Sequence, residues 1–301
     1  MDKIIKGLSL ALLSSFFWSL WSILSDVIVS INRNYIFDYL VLIELILSFS
    51  TSILLLVYMR SRHDRITKKD MSMMKYPVIV GAAFALGTII FYSVIGNQNY
   101  PFVASVFFAL IIPLAFWINK TTKEKVGRNY YVGTVVVFLG LLLEVFGLYG
   151  TNLAASFWII MAAVFVMLFN MVGYYYSFYF AYKGLYPIKA FPTTGITMTI
   201  VYLVAGLLLG SLPALSLLTT QELLLVLAIA VSIFFGYLTE EFGIRIVRKA
   251  KTKFLNLAEI FTNLELVGVI IFSVFFLSLY MPTLVAGLLL VFAGIILVLR
   301  S

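Results

Sequence analysis

The chain has no cysteine, a single histidine and very little charge: Asp, Glu, Lys and Arg make up 11% of its 301 residues. Without cysteine there can be no disulfide, no thiolate metal site and no cysteine nucleophile. His63 lies in the charged stretch 60–75 and reads as a solvated loop residue. No GxxxxGKS/T, HExxH or GxSxG spacing occurs, which excludes enzymes built on those phosphate-cradling, zinc-binding and acyl-transfer devices. No metal or cofactor is expected. The shortage of charge also excludes a water-soluble enzyme of this length. Soluble domains run about 25% charged and about 45–50% apolar. Here 63% is hydrophobic and the mean hydropathy is +1.09, so lipid is the main solvent.

A helix needs about 20 apolar residues to cross the hydrocarbon core. Runs between charge clusters and turn residues give ten such spans: 8–28, 39–59, 77–96, 101–118, 129–147, 153–180, 188–210, 223–242, 255–278 and 283–299. Asn97 to Pro101 and Gly147 to Asn152 split two long uncharged stretches into hairpins. Pro77, Pro101 and Pro282 sit where helices begin, which proline tolerates, and Pro113 alone falls near a helix centre. The runs are continuous and do not alternate with period two, so strands are not expected. The first span is too long for a signal-peptide core and no A-x-A site follows, so it stays attached as helix 1.

The net charge of +8 belongs to loops and not to a nucleic-acid surface. Of the 21 Lys and Arg, all except Arg33 fall at the two termini or in the 2–3, 4–5, 6–7 and 8–9 connections. That one-sidedness places both termini in the cytoplasm, because basic loops stay on the cytoplasmic side.

An internal repeat runs through the chain at an offset of 154 residues. Gly133, Val137, Phe138, Gly140 and Leu143 recur as Gly287, Val291, Phe292, Gly294 and Leu297, and Ala104, Phe107 and Leu110 as Ala258, Phe261 and Leu264. The glycines also serve close helix packing. Half the chain holds five spans, an odd number, so the second half enters the membrane inverted. The expected fold is an all-α polytopic membrane protein of ten transmembrane helices in two inverted five-helix repeats, residues 1–150 and 151–301. Secondary transporters use this plan, with the substrate site near the midplane between the halves.

Phe91, Tyr92, Pro101 to Ser105, Leu110, Pro113, Leu114, Lys123 to Lys125, Gly133, Gly140 and Leu141 together resemble the EamA repeat of the drug/metabolite transporter superfamily. Phe17-Trp18-Ser19 is similar to the start of that repeat, and Leu264-Glu265-Leu266 resembles its Leu-Glu-Pro, without the proline. The resemblance implies a ten-helix transporter. Members carry amino acids, nucleotide sugars, sugar phosphates, quaternary amines and drugs.

Ionisable groups inside a membrane are costly, so each one is a candidate. Asp26, Glu44 and Glu144 lie toward the outer ends of helices 1, 2 and 5, and Asp26 reads as interfacial. Glu240, Glu241 and Glu259 read as ion-paired at the cytoplasmic rim. Glu265 lies near the middle of helix 9, and Glu44 about 9 Å below the outer face at about 1.5 Å per residue from Asp38. These two are the coupling candidates, against the alternative of protonated, hydrogen-bonded glutamates. No Lys or Arg falls in the membrane interior, whereas phosphate-bearing cargo needs one there. Acids without bases suit a cation or a proton-coupled cycle. Aromatic faces attract ammonium groups, which adds Trp18, Trp21, Tyr92, Tyr174 and Tyr237 to the cavity, with Ser22, Asn170 and Asn263 as polar lining. Pro113 removes a backbone hydrogen bond and is the candidate hinge.

The leading expectation is a secondary active transporter, not an enzyme, moving a small organic metabolite by alternating access. An amino acid or amine is favoured. A multidrug or toxic-metabolite exporter of the same fold is the alternative. From other classes, the rivals are a membrane enzyme or lipid-handling protein using the buried acids, and a non-transporting sensor. The partners expected are a small-molecule substrate and the bilayer, with no nucleic acid, in a monomer or homodimer. The plasma (inner) membrane is the expected location.

Overall fold

A computed structural model describes residues 5–17, 20, 36–62, 66–94, 102, 105–106, 109–123, 125–149, 153–185, 187–210, 219–250 and 282–299, and among them there is no strand. The helices are α1 (Ile5–Phe17), α2 (Ile36–Ser61), α3 (Lys68–Met73), α4 (Lys75–Val94) and α5 (Ile111–Thr122). There follow α6 (Arg128–Tyr149), α7 (Leu153–Tyr182), α8 (Pro187–Leu208), α9 (Thr220–Ala250) and α10 (Pro282–Leu299). Five are long and apolar enough to cross a membrane: α2, α6, α7, α8 and α9. Their outward faces carry large hydrophobic side chains such as Phe146, Trp158 and Leu208, each at least 70% exposed. Water would not tolerate so continuous an apolar surface; lipid does.

Local chemistry sets the helix ends. Thr67 caps α3 through a capping box: its hydroxyl accepts from the Asp70 backbone N–H at 3.2 Å, and the Asp70 carboxylate accepts from the Thr67 N–H at 2.8 Å. Thr219 and Glu222 repeat the device at the start of α9, at 3.3 and 2.7 Å. Gly184, at φ +96°, closes α7, and the Leu185 N–H donates back to the Phe180 carbonyl at 3.0 Å. Pro187 and Pro282 open α8 and α10.

Two helices depart from the sequence expectation. Pro113 lies in the first turn of α5 rather than mid-helix, with a turn at Leu110 separating α5 from the helical residues before it. Having no N–H to donate to the Ala109 carbonyl, Pro113 leaves the ladder open just where the turn forms. Pro192, not Pro113, is the proline inside a helix, in α8. α9 also runs to Ala250, eight residues beyond its expected end, because the charged tail 240–250 contains no Pro.

Helix pairs build the bundle: α6 on α10, α4 on α7 and α2 on α8 run antiparallel, α4 on α8 runs parallel, and α9 also packs on α2. Glycine makes the closest approach possible. A Cβ placed on Gly133 would lie 2.6 Å from the Gly294 carbonyl oxygen, and one on Gly140 would lie 2.7 Å from that of Gly287. Likewise a Cβ on Gly243 of α9 would lie 2.8 Å from the Gly7 carbonyl oxygen of α1. Backbones meet there without side chains between them.

Candidate functional site

Four polar residues of α2 fall at positions 44, 48, 51 and 52, a helical spacing that puts them on one face. All four are buried. That face meets α8. Ser48 Oγ lies 3.0 Å from Thr199 Oγ1, and Ser52 packs on Gly195, whose missing side chain leaves it room. Local carbonyls take up the remaining hydroxyl capacity: Ser52 donates to the Ser48 carbonyl at 2.6 Å and Thr199 to the Gly195 carbonyl at 2.8 Å.

One turn from Ser48, on the side toward the start of α2, Glu44 is 5% exposed. Beside it stands Tyr202 of α8, 1% exposed, one of the largest fully buried side chains described. The polar groups acting on the Tyr202 hydroxyl are the Glu44 carboxyl, the Thr88 hydroxyl of α4 and the Tyr237 hydroxyl of α9. Among the described residues the Tyr202 hydroxyl closes no hydrogen bond of ordinary geometry, and neither does Thr51 Oγ1. A buried hydroxyl without a partner costs about 1–3 kcal/mol. A ligand or water that supplies the missing bond recovers it, so four helices converge on a polar spot with hydrogen-bonding capacity in hand.

Of the expected cavity residues, Glu44 and Tyr237 reach this cluster. Tyr237 also lies against Phe191, ring centroids 4.5 Å apart. Asn170 and Tyr174 share a face of α7 as expected, and that face meets α4: Asn170 is buried against Gly87, and Tyr174 packs edge-on against Phe84 at 5.0 Å. The Asn170 amide donates to the Val166 carbonyl at 2.8 Å. Tyr174 is 40% exposed and so is not enclosed. Tyr92 is a residue of α4. Trp18, Trp21, Ser22, Asn263 and Glu265 lie outside the described residues.

A family model described as "Protein of unknown function (DUF1422)" matches residues 21–129, which contain α2 to α5 and the first residues of α6. No curated protein matches the chain.

Sequence reasoning missed Ser48, Thr88, Thr199 and Tyr202. The four-residue spacing of Glu44, Ser48 and Ser52 was the signal available, since three polar residues on one face of an apolar span must meet another polar face. It passed over Glu144 as a residue near a helix end, yet Glu144 is wholly buried. Neither carboxylate oxygen of Glu144 closes a hydrogen bond of ordinary geometry among the described residues, and Ser105 is the polar side chain facing it. Among those residues no group of three His, Asp or Glu could hold a metal ion.

At one end of the bundle, Lys189 in the first turn of α8 donates to the Asp70 carboxylate at 2.9 Å, tying α8 to the α3 capping box. Burial works against the charge on Asp70. The Thr67 N–H, the Lys189 ammonium and the Thr67 hydroxyl outweigh it, holding the carboxyl below its ordinary pKa. The groove of about 240 Å³ between Leu45, Ile46, Phe49, Thr199 and Leu203 is a different feature. It is apolar, and the exposed Phe49 and Leu203 set it on the lipid-facing side.

Proposed function

We propose that the chain is a ten-helix secondary transporter of the drug/metabolite type, built as two inverted five-helix repeats with both termini in the cytoplasm. Its cargo is a small amine or amino acid. The observation that carries this reading is the polar cluster of Glu44, Thr88, Tyr202 and Tyr237, gathered from α2, α4, α8 and α9 inside a largely apolar bundle.

The helix pairing supports the repeat. Counting α5 and the helical residues before it as the fourth span, α6 and α10 are the fifth and tenth, α2 and α8 the second and seventh. Each of those pairs is its own counterpart under a shift of five spans. The same shift turns α4–α8 into α9–α2 and α4–α7 into α9–α1, and every one of these pairs is in contact. On the α6–α10 seam, Val137 packs on Gly294 and Val291 on Gly140. These are the residues that recur at the 154-residue offset.

Aromatic and basic residues support the orientation. Arg62 lies over Tyr58, Lys75 over Tyr76, Lys120 over Trp117 and Lys183 over Tyr179, at 5.1–5.7 Å. Tyr76 in turn meets Tyr176 and Tyr179, and Trp117 meets Tyr175, so these anchors gather at one end of the bundle. Such a basic and aromatic belt belongs at the cytoplasmic interface.

The cargo assignment rests on charge. The cluster offers a carboxyl and phenol rings and no Lys or Arg, which suits an ammonium group and opposes a phosphate. The test is a melting-temperature screen of the purified chain against amino acids, amines and nucleotide sugars, followed by flux into liposomes. A ligand that binds only the folded state raises the melting temperature by mass action. An amine or amino acid should raise it, and Glu44→Gln should abolish the rise. Stabilisation by nucleotide sugars alone overturns the cargo assignment, and absence of flux for every stabilising ligand overturns transport in favour of a sensor or lipid-handling protein.

A further inference from the structure

The α6–α10 seam carries one residue that packing does not explain. Under the 154-residue offset, Glu144 on α6 corresponds to Val298 on α10. Val298 packs on Gly133; Glu144, at the mirror position, packs on Gly287, where a Cβ would lie 2.6 Å from its Cγ. A valine therefore satisfies this geometry at one end of the seam, while the other end has a carboxylic acid. The acid is wholly buried, and neither of its oxygens closes a hydrogen bond of ordinary geometry among the described residues.

Among the described residues no charged group faces it. α7, α10 and residues 102–110 contain no Asp, Glu, Lys, Arg or His, and α6 itself has only Arg128, at its far end. Among the described residues Ser105 is the polar side chain that faces Glu144. An ionised carboxylate in such a place costs far more than a neutral acid, so the group holds a proton while the seam is closed. The end of the seam is nevertheless close. One turn further along α6, Gly147 meets Thr283, which is exposed in the first turn of α10. Parting α6 from α10 there wets the carboxyl, and the positive end of the α10 dipole then favours its anion.

We propose that Glu144 is a proton-binding site. When the seam opens, its O–H bond breaks, the electron pair stays on the carboxylate and the proton passes to water; closing the seam reverses the step. Its use in coupling rests on the transporter reading above, but its protonation does not.

Infrared spectroscopy of the full chain in lipid nanodiscs, across pH, tests the site. The wild type should show a protonated-carboxyl C=O band at neutral pH that is lost reversibly on alkalinisation. That band should be missing from Glu144→Gln and from Glu144→Val, both of which should melt at or above the wild-type temperature because an unpartnered acid has been removed. No Glu144-dependent band at neutral pH, a band that never titrates, or a lowered melting temperature in both variants overturns the proposal. Proton flux into dye-loaded liposomes driven by amine uptake then tests coupling. It should be lost in Glu144→Gln with amine-induced stabilisation intact. If the band titrates but no amine moves protons, coupling fails while the proton site stands.

Discussion

Gly140→Ala gives the sharpest test of the α6–α10 seam, because two effects of known size oppose each other there. In an exposed helix alanine is better than glycine by about 1 kcal/mol, so intrinsic propensity predicts a more stable protein. At Gly140 the new methyl would lie 2.7 Å from the Gly287 carbonyl oxygen, 2.8 Å from the Val291 nitrogen and 2.9 Å from Val291 Cγ2. Comfortable carbon contacts lie at about 3.5–4.0 Å. Two of the three obstructing atoms are backbone, so no rotamer change relieves the overlap and α10 must retreat. That retreat also loosens Val137 against Gly294 and Val298 against Gly133. Overpacking costs about 1–3 kcal/mol, and a clash of backbone on backbone belongs in the upper half of that range. After the propensity gain, the net loss is about 1–2 kcal/mol, a fall in melting temperature of about 2–8 °C. Thermal melts in detergent measure it. Gly140→Ala with Gly287→Ala should cost less than the two single changes together, since one displacement of α10 accommodates both methyls. A single variant melting at or above wild type would refute the close approach, and with it the glycine argument for the repeat.

Other predictions follow from the charged end of the bundle and from topology. Asp70→Asn should cost about 1.5–3 kcal/mol by removing a charged hydrogen bond to Lys189. Because the folded pKa of Asp70 is depressed, its contribution is fully present above the unfolded carboxylate pKa of about 3.9 and is lost as pH falls through the folded value. Wild type and variant should therefore converge at acid pH in denaturant titrations; a gap that persists unchanged in acid contradicts the ion pair. Lys69 and Gln221 are exposed, near the starts of α4 and α9. With no native cysteine to interfere, Lys69→Cys should react with an impermeant thiol reagent only from the cytoplasmic side and Gln221→Cys only from outside. Labelling of both from one side rules out the ten-span topology.

Helices α2, α6, α7, α8 and α9 were legible because an apolar run of about 20 residues between charge clusters has few options other than to cross lipid as a helix, while the expected span 255–278 lies outside the described residues. Their ends were less so. Hydropathy locates where a helix leaves the apolar phase and not where its hydrogen bonding stops, which is why α9 continues to Ala250 through charged sequence. Pro192 went unremarked as an interior proline because the apolar run began only four residues before it. The pairing of α2 with α8 was not legible at all: composition says that Glu44, Ser48 and Ser52 share a face, but not which helix answers them. Tyr202 illustrates the difficulty. A tyrosine in a membrane span is polar at one atom, and only the positions of Glu44 and Thr88 show that the atom faces inward.

Internal symmetry supplies what hydropathy cannot. On the two-repeat reading proposed above, where both halves keep the same residue, as with the four seam glycines, the shared scaffold accounts for it: both halves must bring backbones together at the same crossing. Where the halves differ at corresponding positions, the scaffold is not the reason. Glu144 against Val298 is such a difference, because the seam accepts valine at that position at one end and at the other carries an acid that no charged group faces among the described residues. Two inverted halves can share every structural demand and still use one copy for chemistry. The positions that break the repeat inside its buried seams are therefore the ones whose side chains call for a functional explanation.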